Sequence, residues 1–305
     1  MDLLYQLERI FSRTYTYRIL DNFLELLREL YPYLLAGILV IAVLQRRLPS
    51  LVRFKVLRSA GTLNILAAAL LGMAAPLPVY LAVPLSVSLI AAGFPAPVMV
   101  AFLFACPLID PNLFLLTYGA FGWPMAAARA VSALALGFFA GLLCRRFAGR
   151  LSLFPKRAPE TGSQAKPAAM IKERPFLTAL WRQSLFILKI FSVSLLISAA
   201  LKALVPPEFV RSLVGRSSSF SILLAIALGV PFYQCGGASI PIMQALYELG
   251  LGRGAVLAFF ISGPATKLSA LYAFREGYGD RFLLLYLAYT LAGAFLAGVL
   301  FNLRG

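Results

Sequence analysis

The chain has 305 residues, of which 61% are apolar and 13% are charged, with a formal net charge of +16, three cysteines and no histidine. This apolar share is far above that of soluble domains, and several runs approach the roughly 20 residues needed to cross a bilayer of about 30 Å, so an integral membrane protein is predicted. The chain has no histidine and no Cys-x-x-Cys pair, so we predict that it has no metal site and no cofactor.

Residues 1–29 are predicted to form an amphipathic helix on the membrane surface, because apolar residues recur at helical spacing opposite Glu8, Arg9 and Arg13. Asp2, Glu8, Asp21 and Glu25 in this stretch argue against a signal peptide. A first membrane repeat is assigned to residues 30–145. Its apolar segments are 31–44, 63–75, 79–92, 98–105 with 112–118, and 124–143.

Basic residues predict the topology of these segments. Five of them and no acid lie between the first two spans, and the composition changes to Pro, Ser, Gln and charge before the second half. By the positive-inside rule both stretches are cytoplasmic, with a flexible linker at 146–176 and a second membrane repeat at 177–305. Topology therefore explains the net charge better than a nucleic-acid partner does. Four crossings fit between the two basic stretches, so the short segment 79–92 is expected to cross.

The second half of the chain repeats the first with a shift of 157 residues. The shift places Pro84 on Pro241, and it also aligns Gly72 with Gly229, Gly93 with Gly250, Pro107 with Pro264 and Gly122 with Gly279. Each half then contains five segments, and an odd number inverts the second half relative to the first. The predicted fold is an all-α polytopic membrane protein with two inverted five-segment repeats and broken or short helices at its centre.

Gly and Pro interrupt the apolar stretches 76–110 and 231–267 at corresponding positions. Irregular backbone at membrane depth must be buried in protein or line a cavity, because hydrocarbon offers no hydrogen-bond partner. In secondary transporters, paired interruptions of this kind mark the substrate site near the midplane. The alternative is that they only kink packed helices, since Gly and Pro are common in membrane helices.

Several motifs resemble those of a known family. They are Pro-Leu-x6-Pro-Leu, Ala-Phe-Leu-x-Ala-x-Pro and Leu-Thr-Tyr-Gly-Ala-x-Gly-Trp in the first half, and Val-Pro-x-Tyr-x-Cys and Ala-Phe-x3-Gly-Pro-Ala-Thr in the second. Over residues 31–302, except the linker, the chain is similar to the predicted permeases related to the organoarsenical efflux permease ArsP. The resemblance implies a polytopic inner-membrane permease, and one branch of that family is associated with export of trivalent organoarsenicals. Pro78 and Tyr80 stand where the family carries two cysteines, whose thiolates suit soft arsenic.

The family ends both breaks in asparagine, whereas this chain has Asp110 and Lys267, which are 157 residues apart. An isolated charge at the bilayer centre costs about 2.5 to 3.5 kcal/mol on insertion scales. We therefore predict that Asp110 and Lys267 form an ion pair at the centre of the transport path, where its formation and rupture gate alternating access or couple transport to protons. The alternative is a static ion pair that only fastens the halves together.

The remaining residues predicted to line the transport path are polar, aromatic or soft groups in or beside the two breaks. They are Tyr80, Cys106, Pro107 and Asn112 in the first half, and Tyr233, Gln234, Cys235, Ser239, Gln244, Pro264 and Thr266 in the second. Capping of broken helix ends, or the packing of cysteines as small hydrophobes, explains several of them equally well. Arg129, one turn inside a predicted span, is expected to snorkel to the interface.

These observations favour a multi-pass secondary permease of the inner membrane, acting on a small molecule or ion. They leave open the substrate, the direction, the coupling ion and the oligomeric state. The alternatives are a non-transporting membrane partner or lipid-handling protein and, third, a membrane-embedded enzyme. An enzyme would need a nucleophile and base or a metal cluster, and those residues are scarce here.

Overall fold

A computed structural model describes residues 15–51, 59–75, 77–147, 176–206, 208, 210, 219–232 and 237–304. This part of the chain is helical, with turns and short extended links and without a strand. Its helices are α1 Tyr15–Leu51, α2 Thr62–Ala74, α3 Val79–Ala91, α4 Ala96–Ala105, α5 Pro111–Phe147, α6 Phe176–Leu204, α7 Ser219–Phe232, α8 Ser239–Glu248, α9 Arg253–Thr266, α10 Leu268–Tyr278 and α11 Asp280–Arg304.

The apolar runs form helices because, in hydrocarbon, a helix satisfies its backbone hydrogen bonds within one segment. Within the described residues, α5 and the Asp280–Leu303 part of α11 are each long and apolar enough to cross a membrane. The α9 and α10 helices pass the same test together, although they meet at an angle of 50°. Of the shorter apolar helices, α2 and α4 pack on each other and on α5, and α3 packs on α4 and α10. The all-helical fold is confirmed, and it is consistent with a polytopic membrane protein.

Helix α1 differs from the sequence prediction. We expected an interfacial helix up to residue 29 and a separate span from residue 31, but residues 15–51 form one helix. Leu26, Leu30 and Leu34 recur at a spacing of four residues and are fully buried, so one apolar stripe continues across the predicted boundary. Residues 1–14, and nearly all of the linker predicted at 146–176, lie outside the described residues.

The helix bounds recur with the offset found in the sequence. Helices α2, α3 and α4 correspond to α7, α8 and α9, and the long α5 corresponds to α10 and α11 together. The four described glycines with positive φ form two pairs at this offset: Gly93 with Gly250, and Gly122 with Gly279. Only glycine adopts this conformation without steric cost, so the repeated glycines specify a repeated backbone. Gly122 kinks α5 at the place where Gly279 separates α10 from α11.

Glycine contacts repeat as well. In both halves a glycine on the long helix lies against an isoleucine, an alanine and a main-chain carbonyl of two short helices. Gly141 faces Ile65, Ala101 and Pro97, and Gly298 faces Ile222, Ala258 and Gly254. Every residue of the first set precedes its counterpart by 157 positions. Both halves therefore use one three-helix packing arrangement, which depends on the close backbone approach that glycine permits.

The two halves also interlock. Helix α10 of the second half packs on α3 of the first, where the Ser86 and Tyr278 hydroxyls share a hydrogen bond of 2.7 Å. In the corresponding contact, the start of α5 packs on α8, and Phe121 lies 5.7 Å from Tyr247 between ring centroids. Each half therefore contributes a helix that packs on a short helix of the other half.

Candidate functional site

The first interruption separates α4 from α5. Helix α4 ends at Ala105, and α5 begins at Pro111 after a turn. Asp110 caps α5, because its Oδ1 accepts a hydrogen bond of 2.8 Å from the Leu113 amide. Cys106 Sγ donates to the Leu77 carbonyl at 3.3 Å. Asn112 is buried, and its Oδ1 has no hydrogen-bond partner among the described residues.

Arg129 of α5 is fully buried beside this interruption. Its Nε and Nη2 donate to the Leu108 carbonyl at 3.3 and 3.2 Å, and Nη1 donates to Thr117 Oγ1 at 2.8 Å. Its guanidinium carbon lies 4.6 Å from the ring centroid of Phe260, on α9 of the other half. The Asp110 carboxylate is within electrostatic reach. The guanidinium thus donates to the Leu108 carbonyl, which the break in the helix leaves without its ordinary helical hydrogen-bond donor.

The prediction that Arg129 snorkels to the interface is wrong. It assumed that a span begins at Pro124, which would place Arg129 near a membrane surface. Residues 111–147 instead form one kinked helix, and Arg129 lies at its midpoint. A fully buried ionisable side chain at the middle of an apolar helix is a candidate functional residue.

The second interruption lies at Lys267, where the chain bends by 50° between α9 and α10. Helix α9 continues through Pro264, so the proline is buried inside the helix and does not end it. Thr266 Oγ1 donates to the Ser262 carbonyl at 2.9 Å and approaches the Gly263 carbonyl at 3.3 Å, which satisfies carbonyls near the end of the helix. Thr266 therefore acts as a local cap in this conformation.

Tyr286 of α11 occupies the position that corresponds to Arg129 in the second half. It is fully buried, and its ring centroid lies 4.2 Å from that of Phe274 and 4.9 Å from that of Phe104. Phe274 corresponds in turn to Thr117, the hydrogen-bond partner of Arg129. The Tyr286 hydroxyl has no hydrogen-bond partner within the described residues. The polar contact of the first half is thus replaced by an aromatic contact in the second.

The first interruption and the residues that precede the second are mostly buried, whereas Lys267 is partly exposed and Leu268 is 83% exposed. Cys106 of the first and Ala265 of the second belong to one buried apolar cluster, together with Phe104, Phe274 and Tyr286. Leu108 belongs to the larger buried cluster that includes Phe260. At the first interruption this burial meets the requirement that irregular backbone at membrane depth be shielded from lipid.

The predicted ion pair between Asp110 and Lys267 is not present in this conformation. Ion pairs in the described part of the chain join Lys202 to Glu25 at 3.7 Å, Lys202 to Glu248 at 2.7 Å and Arg275 to Asp280 at 2.8 Å, and none joins Asp110 to Lys267. Asp110 is instead engaged by the start of α5 and lies near Arg129 of its own half. Lys267 is partly exposed at the bend.

The other predicted residues lie on several different elements. Ser239 and Gln244 are buried on α8, and Gln244 Nε2 donates to Glu29 of α1 at 2.9 Å, so this amide faces the N-terminal helix. Tyr80 is 56% exposed, and Pro107 is partly buried in the first turn. Tyr233, Gln234 and Cys235 lie outside the described residues. Sequence reasoning did not select Arg129 or Tyr286, although their 157-residue spacing is a usable signal.

Apolar helices that are interrupted at matched positions and packed around buried polar residues are typical of membrane permeases. Comparison with known families agrees. The sequence model of the ArsP_1 family, described as "Predicted permease", matches residues 15–303. The chain belongs to this family of predicted permeases, as its motifs suggested. Membership indicates a membrane transport protein rather than an enzyme.

Two relatives illustrate the range of similarity. The chain is 23% identical to the UPF0718 protein YcgR of Bacillus subtilis over 281 residues, which cover 90% of this chain and 95% of that protein. It is 30% identical to a UPF0718 protein of Methanocaldococcus jannaschii over 110 residues, which cover 35% of this chain and 30% of that protein. The second match therefore spans less than a third of the relative's length. No solved structure matches the chain significantly.

Proposed function

We propose that this protein is a multi-pass secondary permease that moves a small molecule or ion across the inner membrane, along a path between its two interrupted helices. The observation that carries the proposal is the pairing of the interruptions at 106–110 and at Lys267. They lie at corresponding positions of the two halves, and Cys106 of the first and Ala265 beside the second belong to one buried cluster. Unpaired backbone of this kind is tolerated at membrane depth only where protein or a cavity surrounds it.

In the proposed topology the two halves have opposite orientations, with the basic linker in the cytoplasm. Five segments in each half produce this inversion, and the repeated helix bounds support the division into halves. Rocking of one half against the other then exposes the region between the interruptions to each side in turn. Export is the proposed direction, because the family resemblance includes an efflux branch.

The charges at the interruptions are proposed to respond to this motion. In the present conformation Asp110 caps α5 and lies near Arg129, while Lys267 is at the bend of the second interruption. In the alternate state Asp110 exchanges Arg129 for Lys267, so its carboxylate stays compensated in both states. Compensation matters because an isolated charge at membrane depth costs about 2.5 to 3.5 kcal/mol on insertion scales. A proton on Asp110 would weaken both pairings and would thereby couple transport to the proton gradient.

Flux into proteoliposomes tests the permease function. The purified full-length protein is assayed against a panel of organoarsenicals, metal ions and organic anions, with and without a proton gradient. We expect saturable flux of at least one compound class. A folded, correctly inserted protein that moves none of them would contradict the proposal.

The charge exchange is tested with Asp110→Asn, Lys267→Asn and the double variant. We expect each single variant to lose about tenfold or more in flux, because one buried charge then lacks its partner in one state. The double variant should recover part of the flux, because neither member of the proposed Asp110–Lys267 pair is then left without its partner in the alternate state. Arg275→Gln is the control, since it removes an ion pair whose side chains are 63% and 70% exposed, and it should leave flux unchanged. Wild-type flux in all three variants would remove the gating role.

A further inference from the structure

A cavity of about 710 Å³ opens between α5 and α11. Its volume lies within the range of roughly 300 to 1,000 Å³ that is typical of small-molecule sites. The lining residues include pairs that correspond between the halves: Ala135 with Ala292, Leu136 with Gly293, and Phe139 with Leu296. The cavity therefore lies where equivalent surfaces of the two halves meet.

The chemistry of the cavity is apolar with two hydroxyl groups. Ser132 and Tyr289, which also correspond between the halves, contribute the hydroxyls, and no lining residue carries a charge. Tyr289 donates a hydrogen bond of 2.9 Å to the Leu136 carbonyl. The walls belong to surfaces that face outward, since Val131 is 65% exposed and Leu300 is 61% exposed. In a membrane the cavity thus opens toward lipid.

A chain of aromatic rings connects the cavity to the first interruption. The ring centroid of Tyr289 lies 5.5 Å from that of Phe104, and Phe104 lies 4.9 Å from Tyr286. Phe104 and Tyr286 share a buried cluster with Cys106, the first residue after α4. Three aromatic side chains therefore stand between the lipid-facing cavity and the interruption.

We propose that this cavity is a lateral entrance through which a lipophilic substrate, with an apolar body and one hydrogen-bonding group, passes from the bilayer to the transport path. The inference rests on the proposed permease function and adds the chemical class of the substrate. A strongly polar solute would lose its hydration in this cavity without compensating partners, whereas an apolar body loses nothing on leaving the bilayer. The Ser132 and Tyr289 hydroxyls suit a single polar group on such a molecule.

Photolabelling of the full-length protein in lipid nanodiscs tests the entrance. The probe is a phenyl diazirine, which is small, apolar and photoactivatable, and the labelled residues are mapped by mass spectrometry. We expect saturable labelling concentrated at Leu136 and Tyr289, and competition by the same compound without the diazirine. Ala292→Phe places a ring in the cavity and should weaken half-saturation about tenfold. Ala288→Phe makes the same change one turn earlier on α11, at an exposed residue outside the lining, and should leave labelling unchanged.

Two results would overturn the entrance. Labelling that is unsaturable and uniform over the lipid-facing residues of α5 and α11 would show an ordinary lipid-exposed surface. A cavity that excludes the probe, in a particle with the mass of a dimer, would show a subunit contact.

Labelling does not require transport, so the two proposals fail separately. Saturable flux without saturable labelling refutes the entrance alone. Saturable labelling without flux of any panel compound refutes the permease and leaves a binding cavity that has no transport role.

Discussion

Replacing Arg129 with methionine tests whether the buried guanidinium holds the first interruption together. Methionine keeps much of the length of the side chain but removes the charge and the hydrogen bonds to Leu108 and Thr117. The Leu108 carbonyl then loses both guanidinium donors, and leaving a buried acceptor unsatisfied costs about 1 to 3 kcal/mol. Asp110 also loses a nearby compensating charge. Methionine avoids the desolvation cost of the guanidinium, and this gain offsets part of these losses. We therefore expect a net loss of about 2 to 4 kcal/mol in the free energy of unfolding.

The measurement is equilibrium unfolding in mixed micelles, in which a denaturing detergent is titrated and the helical circular dichroism is followed. Tyr286→Phe is the matched control, since Tyr286 occupies the corresponding position in the second half. Its hydroxyl has no hydrogen-bond partner in the described structure. Removing it should leave the free energy of unfolding unchanged or raise it by about 1 kcal/mol.

Two outcomes for the free energies of unfolding of these variants would refute the reasoning. If Arg129→Met unfolds within about 0.5 kcal/mol of the wild type, the guanidinium does not stabilise the interruption. If Tyr286→Phe is the more damaging change, the second half carries the polar contact that we assign to the first.

Two further predictions concern the packing of the halves. Ser86→Ala and Tyr278→Phe should each lower the free energy of unfolding by about 1 kcal/mol, because the two side chains share one hydrogen bond between α3 and α10. A double-mutant cycle should then give a coupling energy of similar size, and additive effects of the two changes would contradict this. Gly141→Val and Gly298→Val should each cost about 1 to 3 kcal/mol by unfolding in mixed micelles, because a side chain there meets a main-chain carbonyl of a neighbouring helix. Val131→Leu, an enlargement at an exposed position of α5, is the control and should change little.

Local patterns in the sequence are sufficient for several features of this fold. Apolar runs predict helices because hydrocarbon forces backbone hydrogen bonds to close within a segment, and the short helix predicted at 79–92 is observed as Val79–Ala91. The offset of 157 residues predicts which glycines correspond, and those at 93, 122, 250 and 279 adopt positive φ. Glycine carries this information reliably because no other residue substitutes for it at such a φ without strain.

The sequence by itself therefore determined the helical membrane class, the family and the repeated backbone, all of which depend on short-range patterns. Only the tertiary structure decided that Arg129 lies in the interior, that α1 is continuous, and that Asp110 caps α5 and does not pair with Lys267 in this conformation. The physical reason is that the energy of a charge at membrane depth depends on which groups fold around it. Leu108 and Thr117 lie 21 and 12 residues before Arg129, whereas Phe260 belongs to the other half, and no local pattern predicts that all three meet at one guanidinium.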